Sequence, residues 1–202
     1  MVQKSDSDEQ APRRRGRPRG FDPGDVLKAA TERFRTRGFA GTSLDDLVDA
    51  TGLARPSLYA AFGDKRAIYL ATLDRTIERA ARGFDQLIAA NLPLDASLTA
   101  MFRTIVDGYL TGEVAPSGCI MVNTSATSAV DDEEIRDRLA AFVAMEDEKV
   151  RELLAARGDA QAGVHARIVT AVIHSLSVRA RAGASVAELD AIAADCVKMI
   201  AG

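Results

Sequence analysis

Residues 42–65, TSLDDLVDATGLARPSLYAAFGDK, constrain the fold of this chain more than any other segment. Ser43 is a suitable N-cap for a short helix, and Gly52 is a suitable end for it. A second short helix follows the turn, with Pro56 at a tolerated early position and Gly63 at its end. Two short helices joined by a tight turn are typical of a helix-turn-helix.

The remainder of the chain has the composition of a helical protein. Ala, Leu, Arg, Asp and Glu dominate, and no run is rich in alternating β-branched residues, so an all-α fold of about nine helices is expected. For residues 119–128 the choice between a short helix and a strand stays open, because Ile120, Met121 and Val122 alone would also fit a strand. The expected helices cover residues 23–38, 42–52, 55–62, 65–91, 95–110, 119–128, 131–156, 162–182 and 186–200.

The charge is distributed unevenly along the chain. The net charge is -3, but residues 1–66 contain 13 Lys/Arg and 10 Asp/Glu, whereas residues 67–202 contain 13 and 19. A basic front and an acidic body suit a protein that meets a polyanion with one end only. We therefore expect a basic arm at 1–20, a helix-turn-helix domain at 21–66, and a ligand-binding and dimerisation domain at 67–202.

The arm is polar and contains many Pro and Gly residues, so it is expected to be disordered. Its basic run, RRRGRPRG, is a candidate for the minor groove or for phosphates, and a solvated tail is the alternative. Deleting residues 1–19 is expected to lower DNA affinity and to flatten its salt dependence. The candidate DNA contacts in the arm are Arg13, Arg14, Arg15, Arg17 and Arg19.

The second helix of the motif carries the groups that a DNA-reading helix needs. Donors and small groups on an outer face can meet base edges and phosphates, while an apolar inner face anchors the helix. The outer candidates are Arg55, Ser57, Tyr59 and Ala61, and the inner residues are Leu58 and Phe62. Thr42, Ser43 and Lys65 lie at helix starts and are candidates for phosphate contacts.

Three short motifs, G-F-x-G-T-S, R-P-S-L-Y-x-x-F and D-K-R-x-I-Y, resemble the N-terminal domain of TetR/AcrR-family transcriptional regulators. The resemblance implies an Ω-shaped all-α homodimer that pairs through its last two helices. It also implies a small DNA-binding front and a larger body that binds an inducer. Ala61 departs from the larger contact residue of some relatives. The positions that match DNA contacts in the family are Thr42, Ser43, Arg55, Pro56, Ser57, Tyr59 and Lys65.

The body offers only weak signals for a ligand site. Large apolar side chains on its middle helices are candidates to line a cavity, although residues at helical spacing are more often plain core. His174 is either a ligand-binding residue or a packed, interfacial one. The apolar candidates are Phe84, Phe102, Tyr109, Met121, Phe142 and Met145.

The two cysteines are too few and too distant in sequence to predict a disulfide framework or a zinc site, and no cofactor or metal is expected. Cys119 follows a Pro-Ser-Gly loop at an expected helix start, where the pKa of a thiol is lowered. A cysteine in a similar context senses oxidants or electrophiles in some relatives. The alternative is a small buried residue, which is also how Cys196 is interpreted.

The function that these features favour is a repressor that binds a palindromic operator as a homodimer and leaves it when a small-molecule inducer binds. The alternative is a thiol-switched repressor that uses Cys119. An enzyme is disfavoured because no catalytic constellation is visible, and the acidic body argues against a nonspecific DNA binder. Activation of transcription, in place of repression, is an alternative that the sequence leaves open. With no apolar run of membrane-spanning length, the protein is expected in the cytoplasm.

Overall fold

The computed structural model describes residues 20–112 and 116–202, and every regular element within those ranges is helical. The all-α prediction and its nine helices are confirmed. A short π-helix, Met121–Ser125, leads directly into the sixth α-helix. The α-helices are α1 Pro23–Arg37, α2 Leu44–Thr51, α3 Arg55–Phe62, α4 Lys65–Ala89, α5 Leu94–Leu110, α6 Ala126–Ser128, α7 Glu133–Ala155, α8 Ala162–Arg181 and α9 Val186–Ala201.

Side-chain caps fix most of the helix starts. Asp22 accepts a 2.7 Å hydrogen bond from the Gly24 N–H, and Asp64 accepts one of 2.8 Å from the Ala67 N–H. Helix α7 begins two residues later than predicted because Asp132, rather than a residue before it, caps the helix.

The segment after Gly118 is helical and not a strand. The Thr124 hydroxyl donates to the Ile120 carbonyl at 2.8 Å, and the Ser125 hydroxyl donates to the Met121 carbonyl. Hydroxyls that bond back four residues bend and loosen a helix, which is consistent with the wider π turn found here.

An apolar cluster under the front helices extends into the body. Phe34 and Tyr69 pack edge to face with ring centroids 4.8 Å apart, and Leu47 and Leu58 are fully buried beside them. The same cluster contains Met121 and residues of α7. The front helices are therefore seated on the body through shared core and not through a flexible linker.

A second apolar cluster holds the body together. It joins the C-terminal half of α4 to α5, α7, α8 and α9 through fully buried residues such as Met101, Val150 and Ile173. Cys196 is buried in it, in agreement with its interpretation as a packing residue. Between the two clusters lies the cavity described below.

Candidate functional site

The outer face of α3 carries the predicted DNA contacts. Arg55, Pro56 and Ser57 are exposed, and Tyr59 exposes 48% of its surface. Leu58 is fully buried and anchors the helix from behind. The helix therefore presents a cation, a hydroxyl and a phenol on a rigid apolar support.

Ala61, a candidate for the outer face of α3, is less exposed than its neighbour Ala60. Ala60 is exposed, whereas Ala61 is partly buried. Ala61 lies three residues after Leu58, so both face the same side of the helix.

The Arg55 guanidinium is paired with Asp45 of α2. The Arg55 Nη2 to Asp45 Oδ1 distance is 2.6 Å, and both side chains are more than half exposed. The bond raises the pKa of Arg55 further. The cation that is best placed to reach DNA thus faces a carboxylate competitor in the free protein.

Ser43 forms a reciprocal cap at the start of α2. Its hydroxyl oxygen accepts from the Asp46 N–H at 3.1 Å, while its own N–H donates to Asp46 Oδ2 at 2.8 Å. These bonds from Ser43 lower the pKa of Asp46, and Arg37, 2.6 Å away, lowers it further. Ser43 is exposed, so it remains a candidate for a phosphate contact.

Two predicted phosphate contacts are turned inward. Thr42 is only 1% exposed, and its hydroxyl donates to the Gly38 carbonyl at 2.7 Å. The Lys65 ammonium donates to the carbonyls of Phe39 and Thr42, both at 3.0 Å, and lies 4.4 Å from the Phe39 ring centroid. Both side chains fix the loop between α1 and α2 in the free protein, and their role as DNA contacts stays a prediction from the sequence.

The five arginines of the arm, Arg13, Arg14, Arg15, Arg17 and Arg19, lie outside the described residues. Their role as DNA contacts stays a prediction from the sequence.

A cavity of about 440 Å³ lies between the front helices and the body. Its wall is contributed by α1, α4 and α5, by the loop before the π-helix, and by one residue of α7. The lining residues are Lys28, Thr31, Glu32, Arg35, Arg75, Thr76, Arg79, Ala80, Gly83, Phe84, Gln86, Leu87, Met101, Thr104, Ile105, Gly108, Tyr109, Gly118, Cys119, Ile120 and Glu146.

Only two of the predicted ligand residues, Phe84 and Tyr109, line this cavity. The others do not line it and take the core or packed alternative, because their helices turn these side chains toward neighbouring helices. They belong to or pack against the two apolar clusters, or pair with a buried group: Phe102, Met121, Phe142, Met145 and His174. Met101, which was not predicted, takes a place in the wall.

Glu146 is the functional candidate that the sequence prediction missed. It is 4% exposed, lines the cavity, and pairs with His174 of α8 across 2.7 Å. Burial raises the pKa of Glu146, and the bond to Glu146 raises the pKa of His174. The sequence contained a pattern that predicts burial of Glu146, because this residue lies in the same helical stripe as Phe142 and Val150, four residues from each.

Cys119 also faces the cavity, but its thiol is not activated. Burial raises its pKa to about 11, and this outweighs the lowering by the Met121 and Val122 N–H groups at the helix start. The prediction of a lowered thiol pKa was therefore wrong. The backbone N–H of Cys119 donates to Ser177 Oγ at 2.8 Å, which fixes the loop against α8.

Three arginines connect the front helices and α4 to the rest of the body. Arg35 of α1 reaches the end of α5, and Arg181 of α8 donates to the Arg35 carbonyl at 2.8 Å. Arg66 at the start of α4 pairs with Asp132 at 2.7 Å and with Glu134 at 2.9 Å. The bond from Arg66 lowers the pKa of Asp132 to about 2.

The outer surfaces of the last two helices are apolar in places. Val164, Ile168 and Val178 of α8 are 48%, 36% and 54% exposed, and Met199 of α9 is 58% exposed. Their spacing of four and ten residues places the three α8 side chains along one stripe. A stripe of this kind is a candidate helix-pairing surface.

Residues 20–112 and 116–202 lack two further kinds of feature. No helix there is long and apolar enough to cross a lipid bilayer. Within the same ranges, no three His, Cys, Asp or Glu side chains are grouped so as to hold a metal ion.

Residues 26–72 match the family model described as bacterial regulatory proteins, tetR family. The chain is 33% identical over 203 residues to the HTH-type transcriptional repressor ComR of Escherichia coli, with 96% of each chain covered. It is 27% identical to the repressor BdcR of the same organism, with 89% of each covered.

Solved structures give the same result. A cysteine mutant of the TetR family regulator CifR, complexed with 26-bp operator DNA, has a TM-score of 0.77 and 26% identity, and the match covers 90% of this chain and 98% of that one. Reduced NemR of E. coli, at 19% identity and a TM-score of 0.75, covers 88% and 95% and shares the fold. From the front-domain match, the near full-length relatives and the shared architecture, the chain belongs to the TetR family of DNA-binding transcriptional regulators.

Proposed function

We propose that this regulator is a repressor that binds a palindromic operator as a homodimer and leaves it when a small molecule enters the cavity. Residues 21–66, preceded by the basic arm at 1–20, would bind DNA, and residues 67–202 would bind ligand and dimerise. The observation that carries the proposal is the position of the cavity, whose wall includes α1 of the front as well as α4 and α5 of the body. ComR of Escherichia coli, which is similar to this chain over nearly its full length, is a transcriptional repressor, and this supports the direction of control.

DNA binding is assigned to the exposed face of α3. In a two-fold dimer the two copies of α3 would enter successive major grooves, which are about 34–36 Å apart along one face of the duplex. Arg55 would contact guanine or a phosphate, and the Tyr59 phenol would donate to a phosphate. Ser57 and the exposed Ser43 would add hydroxyl contacts.

Dimerisation is assigned to α8 and α9. The exposed apolar stripe of Val164, Ile168 and Val178 would be covered by the same helices of a second copy. Val178→Glu should therefore shift the protein to a monomer in light scattering coupled to size exclusion. Val130→Glu, at a valine that is 72% exposed outside these helices, is the matched control and should leave the dimer intact.

Release from the operator would follow from the cavity wall that the front and the body share. Arg35 of α1 lines the cavity and is bonded to the end of α5, so a ligand that displaces this region changes how α1 is held on the body. In a dimer, a small rotation of each front changes the separation of the two copies of α3. A ligand that favours the rotated state then lowers operator affinity by population shift.

The test begins with an operator selected from random duplexes, followed by titration of the labelled duplex in fluorescence anisotropy. Arg55→Ala should weaken binding at least tenfold and Tyr59→Phe less, because losses of single DNA contacts cost about 1–3 kcal/mol. Arg82→Gln, on the exposed side of α4, is the control. If Arg55→Ala instead dissociates the dimer, the assignment of α3 is wrong.

A thiol switch at Cys119 is the second candidate, and its support is that Cys119 faces the cavity. The raised pKa of the thiol opposes it, since the thiol is protonated at neutral pH and the thiolate is the reactive form. Cys119→Ser should leave release by small molecules intact. A loss of release by hydrogen peroxide in this variant, where the wild type responds, would favour the thiol switch.

A further inference from the structure

The two ends of the cavity differ in chemistry. Its inner wall is formed by buried or half-buried apolar side chains, among them Phe84, Met101 and Ile120. Its rim carries Lys28 of α1 and Arg79 of α4, both exposed, and the partly exposed Arg75 of α4. An occupant would meet hydrocarbon inside and cations at the opening.

The three rim cations differ from several other cations of the molecule, which pair with carboxylates. Within residues 20–112 and 116–202, Lys28, Arg75 and Arg79 form no ion pair and no side-chain hydrogen bond, whereas Arg138 and Lys149 pair with carboxylates at 2.7 and 2.8 Å. Arg75 and Arg79 are four residues apart, so they project from one face of α4. This face is turned toward the cavity.

The two acids in the cavity wall do not neutralise these cations. Glu32 is bonded to Arg35 at 2.6 Å, and Glu146 is bonded to His174 at 2.7 Å. Each carboxylate thus already has a cationic or protonatable partner of its own. The rim therefore keeps an excess of positive charge, although residues 67–202 as a whole carry more acids than bases.

We propose that the ligand of this cavity is an amphipathic anion. Its apolar portion would lie against Phe84, Met101 and Ile120, and its carboxylate, phosphate or sulfate would lie at the rim against Lys28, Arg75 and Arg79. This inference rests on the proposed function and names the ligand class for the same cavity. A cationic or neutral ligand would leave the rim cations without a partner and would gain only the apolar contact.

Binding of the anion would also be connected physically to the position of the DNA-binding helices. Lys28 belongs to α1 and the two arginines belong to α4, so one anionic group would bridge the first helix of the front and the long helix of the body. Charge-assisted bonds of this kind are made only when α1 and α4 adopt a spacing that suits the anion. The ligand would therefore favour one position of the front helices over others.

The first test measures binding to the purified full-length chain without DNA. Isothermal titration calorimetry compares decanoate, decanol and decyltrimethylammonium, below their micelle concentrations. A second series compares 2-naphthoate, 2-naphthol and trimethyl(2-naphthyl)ammonium. In at least one series the anion should bind about tenfold or more tightly than the neutral compound, and the cation more weakly. A neutral or cationic preference in both series, or no binding by either anion, overturns the proposal.

Variants then locate the anionic group. Lys28→Gln and Arg79→Gln should each weaken the binding of the preferred anion about tenfold and leave the matching neutral compound unchanged. Arg82→Gln on the same helix removes an exposed arginine that pairs with Glu78 and does not line the cavity, so it should change neither. An equal effect of Arg82→Gln would show a nonspecific charge effect and overturn the assignment.

A separate readout distinguishes this inference from the proposed function. Release of the selected operator is followed by anisotropy with the same compounds. Anion binding at the rim without release would support the ligand class and contradict release through this cavity. Release by neutral or cationic compounds that lose activity on Met101→Trp, a substitution that fills the cavity, would support the proposed function and contradict the ligand class.

Discussion

The Arg35 guanidinium donates a 3.0 Å hydrogen bond from Nη1 to the Gly108 carbonyl oxygen, and this bond joins α1 to the last turn of α5. Nη2 donates to the Thr111 carbonyl at 2.5 Å, and Arg35 is only 8% exposed. The carbonyl of Arg35 in turn accepts from Arg181 of α8. One buried residue thus connects the front of the molecule to two separate helices of the body.

Replacing Arg35 with methionine should destabilise the protein by roughly 1–3 kcal/mol, because partly buried hydrogen bonds to carbonyls at the end of α5 would lose their donor while the apolar length of the side chain is kept. Urea unfolding followed by circular dichroism measures the change. Arg151→Met breaks only an exposed pair with Glu148 and should cost less than about 1 kcal/mol. Similar losses in the two variants would contradict a special role for Arg35.

Asp45→Asn should tighten operator binding severalfold. In the free protein Asp45 holds the Arg55 guanidinium at 2.6 Å, and on DNA its charge would repel nearby phosphates. Because this pair is exposed, its loss should change the free energy of unfolding by less than about 1 kcal/mol. Anisotropy titration of the selected operator measures the affinity.

The matched control for this variant is Asp49→Asn, which removes the same charge from an exposed position one turn further along α2. It should tighten binding much less than Asp45→Asn does. Equal effects would mean that overall charge, and not release of Arg55, determines the affinity.

Local patterns were sufficient to predict the helices and the front core. Val26, Ala30 and Phe34 recur every four residues, and all three are buried. Ser43 caps the helix that it was expected to cap, and Gly52 and Gly63 end the two helices that they were expected to end. These features depend on neighbours within a turn or two, so the order of the amino acids carries them directly.

The cavity could not be predicted in this way, because its wall is formed by residues that are far apart in the chain. Arg35 and Gly108 are separated by 73 positions. Glu146 lies in one cavity wall with Cys119 and Tyr109 only after α5, α7 and the loop before the π-helix have packed together. Periodicity shows that a side chain faces inward but not whether it meets core or cavity. For the same reason Thr42 and Lys65 were expected at the surface although both are used to fix a loop.

Gly118→Ala should be strongly destabilising. Gly118 has φ of +63°, and a Cβ there would lie 2.1 Å from Asn123 Nδ2 and 2.6 Å from the Ser177 carbonyl oxygen. Backbone strain and steric overlap should together cost more than about 2 kcal/mol. The measurement is the urea midpoint.

Gly158→Ala separates the two causes. Gly158 also has a positive φ, +82°, but nothing lies within 4 Å of the added Cβ. This variant is therefore destabilised by backbone strain and not by steric overlap. It should lose clearly less stability than Gly118→Ala. Equal losses would show that the packing of the loop against α8 contributes little.

The buried pair of Glu146 and His174 predicts how stability depends on pH. The pKa of His174 is raised above its ordinary value of 6.5, chiefly by the bond to Glu146, so its stabilisation is complete below pH 6.5 and is lost as pH rises through the folded pKa. The pKa of Glu146 is raised above 4.5 by burial, so the cost of its buried charge also grows as pH rises. For both groups the folded state binds more protons than the unfolded state, and both contributions to stability fall with rising pH.

The double variant Glu146→Gln, His174→Gln removes both titrations while keeping polar side chains of similar size. Urea unfolding of the wild type and of this variant, measured between about pH 5 and about pH 9, gives the difference in the free energy of unfolding at each pH. The wild type should lose stability relative to the variant as pH rises above about 6.5, the ordinary pKa of histidine. A difference that stays constant, or that grows in favour of the wild type with rising pH, would mean that Glu146 and His174 do not take up protons on folding.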